Sequence, residues 1–268
     1  QQIPARDSAD AELKIGTLIR SLFLPEEGQK WGSFDYSQQE PRLVVHYANK
    51  VGLDGSKKLL EAYREDKNTD FHTIMAEIAS IPRKSAKTIN LGLFYGMGVG
   101  KLSDQLGIGS DEAKALIGQY NERVPFVRQL ADKVSDHAQR KGRVRTILGR
   151  QCRFDLWEPK SFGVHKAYPY EKAVEEYGSN IGLKRAGTYK ALNRLIQGSA
   201  ADQIKKAMVE LRKEGIIPMI QIHDELAISV DGFKEQQGKI IEVMENCLEM
   251  EIPSKVDVEV AKNWGEAQ

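Results

Sequence analysis

Two acidic positions stand at the ends of apolar runs: Asp35 in Phe34-Asp35-Tyr36-Ser37, and Asp224-Glu225 in Ile220-Gln221-Ile222-His223-Asp224-Glu225-Leu226. A carboxylate in such a setting needs a compensating cation, because a charge taken out of water is costly unless it is paired. Taken singly, either position reads more readily as a helix cap or a turn former than as a site. Together they point to a hard-cation site. Magnesium takes a few carboxylates plus substrate phosphate oxygens, and two such ions can hold the attacking and leaving oxygens of an in-line displacement.

The segment after Pro82 supplies what such a site needs next, since Arg83, Lys87, Leu91 and Tyr95 recur every four residues. In a helix that step is about 400° of turn, so the four side chains drift only about 40° per step and share a face. Arg and Lys one turn apart offer a fork and a point charge to a polyphosphate, and Tyr95 offers a ring for stacking. An ordinary surface helix with a basic first turn is the alternative, although basic residues there oppose the helix dipole.

The glycine-rich run Gly96-Met97-Gly98-Val99-Gly100-Lys101-Leu102 is not a P-loop: Tyr95 and Leu102 stand where Gly and Ser or Thr are needed. HExxH and GxSxG are also absent from the chain, which leaves carboxylate and metal chemistry. Residues 224–268 carry a charge of −7, so the net +1 leaves +8 upstream. That surplus is densest from Arg140 through Arg143, Arg145, Arg150 and Arg153, a stretch without acids. Such clustering suits phosphate contacts, and a solvated helix end with a hairpin accounts for it as well.

The elements that must position these groups follow from local pattern. A strand is expected at Trp31–Asp35 after the Pro25–Gly28 turn, then a helix from about Gln39 with Leu43, Val44, Tyr47 and Ala48 on one stripe. Pro82 opens a helix to about Tyr95, and 110–140 reads as one or two helices broken near Pro125. The basic stretch becomes a hairpin around Leu148-Gly149-Arg150, while 157–190 reads as the least regular part, an inserted loop region. A helix over 200–213, two strands in 216–230 turning at His223-Asp224-Glu225, a helix over about 234–250 and a strand at 256–260 complete the outline. Residues 1–6 read as a loop.

At 268 residues, with 41% hydrophobic and 29% charged, the chain has enough apolar material for one large domain or two intertwined subdomains, which excludes disorder and collagen-like repetition. It contains no apolar run of the roughly 18 to 20 residues that a membrane span needs, and no signal-peptide pattern at Gln1-Gln2-Ile3-Pro4. Cys152 and Cys247 form no CxxC pair, so a disulfide framework or zinc knuckle is not expected, and a reducing, cytoplasmic compartment fits. A start on Gln rather than Met reads as the later part of something longer.

With these pieces in order, the chain resembles the palm and fingers of family A, DNA polymerase I-like, DNA polymerases over nearly its whole length. Asp35-Tyr36-Ser37-Gln38-Gln39-Glu40-Pro41-Arg42 is similar to the first family motif, Arg83-x3-Lys87-x2-Asn90-Leu91-Gly92-x2-Tyr95-Gly96 to the second, and His223-Asp224-Glu225 to the third. A fourth block, Asn193-x3-Gln197-Gly198-x-Ala200-Ala201-Asp202, and the ending Asn263-Trp264 also match.

The resemblance implies an α/β (α+β) fold. An antiparallel palm sheet would carry the carboxylates beside a helical fingers subdomain, with palm at 1–70, fingers with the inserted loop region at 71–190 and palm again at 191–268. It implies nucleotidyl transfer from dNTP to a primer 3′-hydroxyl, with two Mg2+ ions, Mn2+ an acceptable substitute, held by Asp35, Asp224 and the Tyr36 carbonyl with Glu225 nearby. Arg83 and Lys87 would bind the triphosphate, Lys87 also donating a proton, with His72, Gln38 and Leu91 among the nucleotide contacts. Glu40 would crowd the sugar 2′ position and bond Tyr95, the ring at the template-base position. Asn193, Gln197 and His223 would line the minor groove of primer-template DNA, and Arg145 and Arg150 would contact DNA. Thumb and exonuclease parts are not expected in this chain, so it would not proofread and would depend on an upstream thumb segment for grip.

The chain also departs from the family pattern. Leu91 stands where an aromatic ring is usual, Gln39 and Pro41 replace an apolar pair, and Tyr189-Lys190 stand where Arg is usual. The longer 157–185 region is more like phage-type members. A non-catalytic DNA-binding scaffold and a metal-dependent phosphodiester hydrolase are the other classes weighed; intact carboxylates and the Arg83–Tyr95 face count against them.

Overall fold

A computed structural model describes residue 3, residues 15–161 and residues 163–267. The expected loop at 1–6 therefore lies, Ile3 apart, outside the described residues. The first half of the chain runs α1 (Ile15–Ser21), β1 (Lys30–Tyr36), α2 (Gln39–Lys50), α3 (Ser56–Glu65), α4 (Phe71–Ala79), α5 (Arg83–Tyr95), α6 (Val99–Leu106), α7 (Ser110–Arg123) and α8 (Pro125–Lys141). It continues with β2 (Arg143–Arg145), β3 (Gln151–Arg153), β4 (Leu156–Pro159), β5 (Tyr168–Pro169), α9 (Tyr170–Tyr177) and β6 (Leu183–Arg185). The last part is α10 (Ala191–Lys213), β7 (Ile220–Ile222), β8 (Glu225–Val230), α11 (Lys234–Asn246) and β9 (Val256–Ala261). Among the described residues no helix is long and apolar enough to cross a membrane.

The chain divides into two compact units, residues 1–42 with 200–268, and residues 43–199. Both divisions fall inside helices, α2 and α10, whereas the sequence reading had put boundaries at 70 and 190. A helix carries no compositional break where it passes from one unit to the other, so no linker signal marks these points.

The first unit is built on a four-stranded antiparallel sheet in the order β7-β8-β1-β9. Central strand β1 is buried on both faces. Phe34 and Tyr36 join Leu226, Ile228 and Val230 in a core closed by Ile204, Ala207 and Leu211 of α10 and Ile240 and Met244 of α11. On the opposite face Trp31 packs with Ala227 and Trp264, the two indoles stacked at 6.2 Å. Two-sided burial is why β1 carries a large aromatic side chain for each face, Trp31 for one and Phe34 for the other, before Asp35. Phe23 meets Trp264 edge-on, and the Arg20 guanidinium lies 4.6 Å above the same ring, which fastens α1 to the C-terminal segment.

The second unit is mainly helical. Pro82 caps α5, its fixed φ suiting a helix start, and Pro125 separates α7 from α8 as the break in periodicity suggests. Gly96, at φ +65°, ends α5, and Gly98 caps α6. The glycine-rich decoy is therefore a helix-to-helix turn, with no strand before it as a P-loop requires. Leu102 of α6 sits where a side chain at Gly92 would stand, so that glycine permits the close approach of α5 and α6.

The β2–β3 hairpin forms where the basic stretch suggested. Gly198 leaves room for Thr146, while Ser199 Oγ accepts from the Ile147 amide at 3.1 Å and bonds the Tyr47 hydroxyl at 2.7 Å.

Two expectations need correction. Residues 157–190 are not an inserted loop: β4, β5 and β6 make a three-stranded sheet, order β5-β4-β6, with α9 against it. These strands are two to four residues long, too short for period-2 alternation to register. The helix expected at 200–213 begins at Ala191; the polar Asn193, Arg194 and Gln197 in its first two turns interrupt the apolar pattern by which a helix is read.

Candidate active site

Asp35 is the last exposed position of β1, and its cross-strand partners are Glu225 of β8 on one side and Asp257 of β9 on the other. Residues directly opposite in an antiparallel ladder project to the same face. Three carboxylates separated by up to 222 positions in the chain thus form a row across the sheet, with Asp224 one residue from its end. Like charges placed opposite one another oppose folding, so the row marks a site where another requirement prevails.

The electrostatics agree. Burial, reinforced by repulsion from Asp224, Glu225 and Asp257, pushes the Asp35 carboxyl up to about 7. Burial also raises Asp224, against its own backbone amide and His223. Among the described residues no Lys or Arg pairs with Asp35, Asp224 or Glu225; Lys255 is 2.5 Å from Asp257 instead. Glu225 Oε1 is buried with no hydrogen-bond partner. Asp35 keeps an exposed edge through which a cation can approach.

The backbone around the row is pinned. The Tyr36 amide donates to the Asp224 carbonyl at 3.2 Å, and the Ser37 amide to the Lys255 carbonyl at 2.9 Å. Arg42, 1% exposed, donates from Nε to the Ser37 carbonyl at 2.8 Å and from Nη1 to the Pro253 carbonyl at 2.7 Å. The Tyr36 hydroxyl donates to the Met244 carbonyl at 2.6 Å, and burial raises its pKa further. Gln38 and His223 adopt φ +52° and +53°. Two strained non-glycine residues beside the carboxylates are a mark of a site whose geometry outranks local comfort.

Gln39, which replaces an apolar residue of the family pattern, is buried. Its Nε2 donates to Gln203 Oε1 at 3.1 Å, and Gln203 Nε2 donates to Ser254 Oγ at 2.9 Å. Its polarity is therefore satisfied internally.

In the second unit Arg83 and Lys87 are exposed on α5, with Leu91 and Tyr95 partly exposed on the same face, while Ala86, Ile89, Asn90 and Phe94 are buried. Lys87 has no ion-pair partner among the described residues. Arg83, expected as an open fork, is already engaged: its Nη2 is 2.9 Å from Asp70 Oδ2 and its Nε 3.1 Å from Thr73 Oγ1. Against the raising effect of burial, bonds from Arg83 and Thr73 draw Asp70 down to about 2.

His72, expected to touch phosphate, is buried with its Nδ1 3.2 Å from Asn90 Nδ2; Asn90 Oδ1 in turn accepts from the Tyr120 hydroxyl. Burial pushes His72 down to about 4, Asp70 opposing and Lys87 and Arg83 assisting. An unfolded chain binds this proton near 6.5, so the stability involved is complete above that pH and is lost as pH falls toward 4, in all about 3 kcal/mol. Asp35 titrates in the opposite sense over part of this range. The measurement is therefore the difference between the native chain and His72→Gln in pH-dependent unfolding: the native chain is expected to lose the larger share of stability below pH 6.5, and parallel curves would contradict the assignment.

Asn193 and Gln197 lie one turn apart on α10, Gln197 exposed. Arg145 is exposed on β2, and Arg150 Nη2 donates to the Gly198 carbonyl at 2.7 Å. His223 is exposed in the turn before β8, and Glu40 lies in the first turn of α2. The sequence reading had not singled out Asp257 or the structural roles of Arg42 and Asn90. Only strand register reveals Asp257, whereas Arg42 and Asn90 stood in recognised motifs without a role.

The donor set is one of hard oxygens. Among the described residues no three His, Cys, Asp or Glu side chains form a ready-made metal cage, but magnesium bound with substrate oxygens needs fewer. The row of acids and the unpartnered Glu225 oxygen fit a divalent cation.

Comparison with known proteins gives the same direction. Residues 1–266 match the model for "DNA polymerase family A". The chain is 38% identical, over 99% of its own length and 42% of the relative's, to a DNA-directed DNA polymerase of Pseudomonas phage M6. It is 32% identical, over its whole length and 30% of the relative's, to the thermostable DNA polymerase I of Thermus filiformis. A solved structure of the POL domain of Pol1 from M. smegmatis, in complex with DNA primer-template and dNTP, superposes with a TM-score of 0.74 at 29% identity, covering 99% of this chain and 44% of that one. The chain thus spans less than half the length of these relatives.

Proposed function

We propose that this chain, which belongs to DNA polymerase family A, is the catalytic part of a template-directed DNA polymerase, joining dNTPs to a primer 3′-hydroxyl. The observation that carries the reading is the acid row: Asp35 between Glu225 and Asp257, with Asp224 adjoining and, among the described residues, no Lys or Arg paired with Asp35 or Glu225. Two Mg2+ ions on Asp35, Asp224 and the Tyr36 carbonyl, for which Mn2+ can stand in, would activate the hydroxyl and neutralise the leaving pyrophosphate.

The chain's own residues do the rest. Asp35 and Asp224 hold oxygen ligands at fixed positions because the Tyr36–Asp224 and Ser37–Lys255 backbone bonds fix their turns. Lys87 meets the triphosphate as a mobile point charge and supplies a proton to the leaving group. Arg83 reaches phosphate by exchanging its contact with Asp70. His72, neutral and buried, positions Asn90 and α5 rather than touching phosphate. Leu91 and Gln38 contact the nucleotide, Glu40 and Tyr95 select the deoxy sugar, and Asn193, Gln197 and His223 read the minor-groove acceptors that report base-pair shape. Arg145 and Arg150 contact the DNA backbone. In this reading the first unit corresponds to palm and the second to fingers, an upstream thumb segment of the same polymerase supplies further grip, and the enzyme works in the cytoplasm, or the host's if viral.

Lys87→Ala tests the nucleotide half of the reading. Primer extension with magnesium is expected to lose roughly 100-fold or more in kcat/KM for dNTP, with most of the loss in kcat. A loss confined to KM would leave Lys87 a binding residue only, and no loss would remove α5 from the triphosphate site.

A further inference from the structure

Residues 137–154 contain six Lys or Arg and no Asp or Glu. In the β2–β3 hairpin Arg143 stands directly opposite Arg153, and Arg145 opposite Gln151; all four are exposed, while Val144 between them is buried. Like charges placed opposite destabilise a ladder. Apart from a 3.3 Å bond from Arg143 to Gln151 Oε1, nothing on the hairpin relieves the repulsion. None of Lys141, Arg143, Arg145 or Arg153 is within ion-pair reach of a carboxylate among the described residues. An anion lying along this face would supply the missing partner.

The face continues into a cleft of about 960 Å3 between α8 and the hairpin. Its lining carries five cations, Lys133, Arg140, Lys141, Arg143 and Arg145, with Asp136 the one acid. The rest of the lining is apolar or aromatic, with Tyr47, Val51, Leu130, Val134, Val144 and Leu195. The Tyr47 hydroxyl is tied to Ser199, which holds its ring in place. On the other side of Arg143 a smaller polar cleft is lined by Arg153, Arg185 and Asp155. The larger volume is at the upper end for small-molecule sites, about 300–1,000 Å3, with room for a short stretch of chain.

Cations beside an apolar and aromatic lining suit a ligand that offers phosphates and unpaired bases together. A duplex offers only the phosphates, since its bases are stacked inside. We infer that this cleft is a track for single-stranded DNA, the unpaired part of the template. The inference rests on the polymerase reading and adds to it a surface outside the reaction centre.

The test is fluorescence anisotropy of the full chain with labelled oligo-dT and with a blunt duplex, across a salt series, for the native chain and for Arg143→Ala combined with Arg153→Ala. Both side chains are exposed, so folding should survive, and Lys57→Ala on the exposed face of α3 is the control. The double variant is expected to bind oligo-dT about 10-fold more weakly near 0.1 M salt. Its slope of log K against log salt should fall by about 1.4, the single-strand value for two lost phosphate contacts. Duplex binding should be unchanged, and abasic positions in the oligonucleotide should weaken binding to the native chain. Equal losses on duplex and single strand, or no loss on either, would overturn the inference. Primer extension by the native chain, run in parallel, separates the two readings. Intact extension with unchanged oligo-dT binding removes the cleft alone, and absent extension with binding lost in the variant removes the polymerase reading alone.

Discussion

Asp35→Ala and Asp224→Ala are each expected to reduce magnesium-dependent primer extension by at least about a thousandfold while leaving the chain folded. The magnitude follows from the loss of a ligand aimed at charge that develops in the transition state, where even one neutral donor is worth about 100- to 1,000-fold. Folding should survive because neither carboxylate supports the core: the apolar load on β1 is carried by Trp31, Phe34 and Tyr36. Removing Asp35 also removes repulsion from Asp224, Glu225 and Asp257. Without divalent metal the Asp35→Asn variant should therefore melt higher than the native chain, and added Mg2+ should raise the melting temperature of the native chain more than that of the variant. A native chain that melts higher than Asp35→Asn in chelator would contradict the picture of an acid row held together against its own charge.

Arg42→Ala is expected to destabilise the chain by about 3 kcal/mol or more, since a buried charged donor with two carbonyl acceptors is removed and both carbonyls are left without it. For a chain of this size that is a fall in melting temperature of roughly 6–10 °C. Extension should fall as well, although Arg42 is not placed on substrate, because it ties the turn after Asp35 to the segment leading into β9. Arg42→Lys should recover only part of either property: one ammonium does not reproduce a planar fork reaching two carbonyls. Melting unchanged in Arg42→Ala would remove this tie from the account.

The carboxylates were legible in the sequence because charge at the end of an apolar strand is conspicuous, and the four-residue recurrence along α5 was legible because helical geometry repeats. Asp257 was not legible, since nothing in Lys255-Val256-Asp257-Val258 distinguishes an acid facing Asp35 from one facing water until β9 is paired with β1. The engagement of Arg83 by Asp70 was equally hidden, because it depends on how α4 packs against α5. The β4–β6 sheet escaped notice because strands of two to four residues carry no period. His72 was expected at phosphate on the strength of the resemblance, yet burial makes it a partner of Asn90, and burial is a property of the packed unit.

The central claim, that Asp35 and Asp224 share divalent cations, is tested most directly by locating the metal. Crystals of the chain with primer-template DNA and a non-hydrolysable dNTP, grown with Mn2+ and measured at its absorption edge, should show anomalous density within coordinating distance of both carboxylates and of the nucleotide phosphates. Density bound elsewhere, or none at these two residues in a complex that extends primers once given dNTPs, would contradict the account.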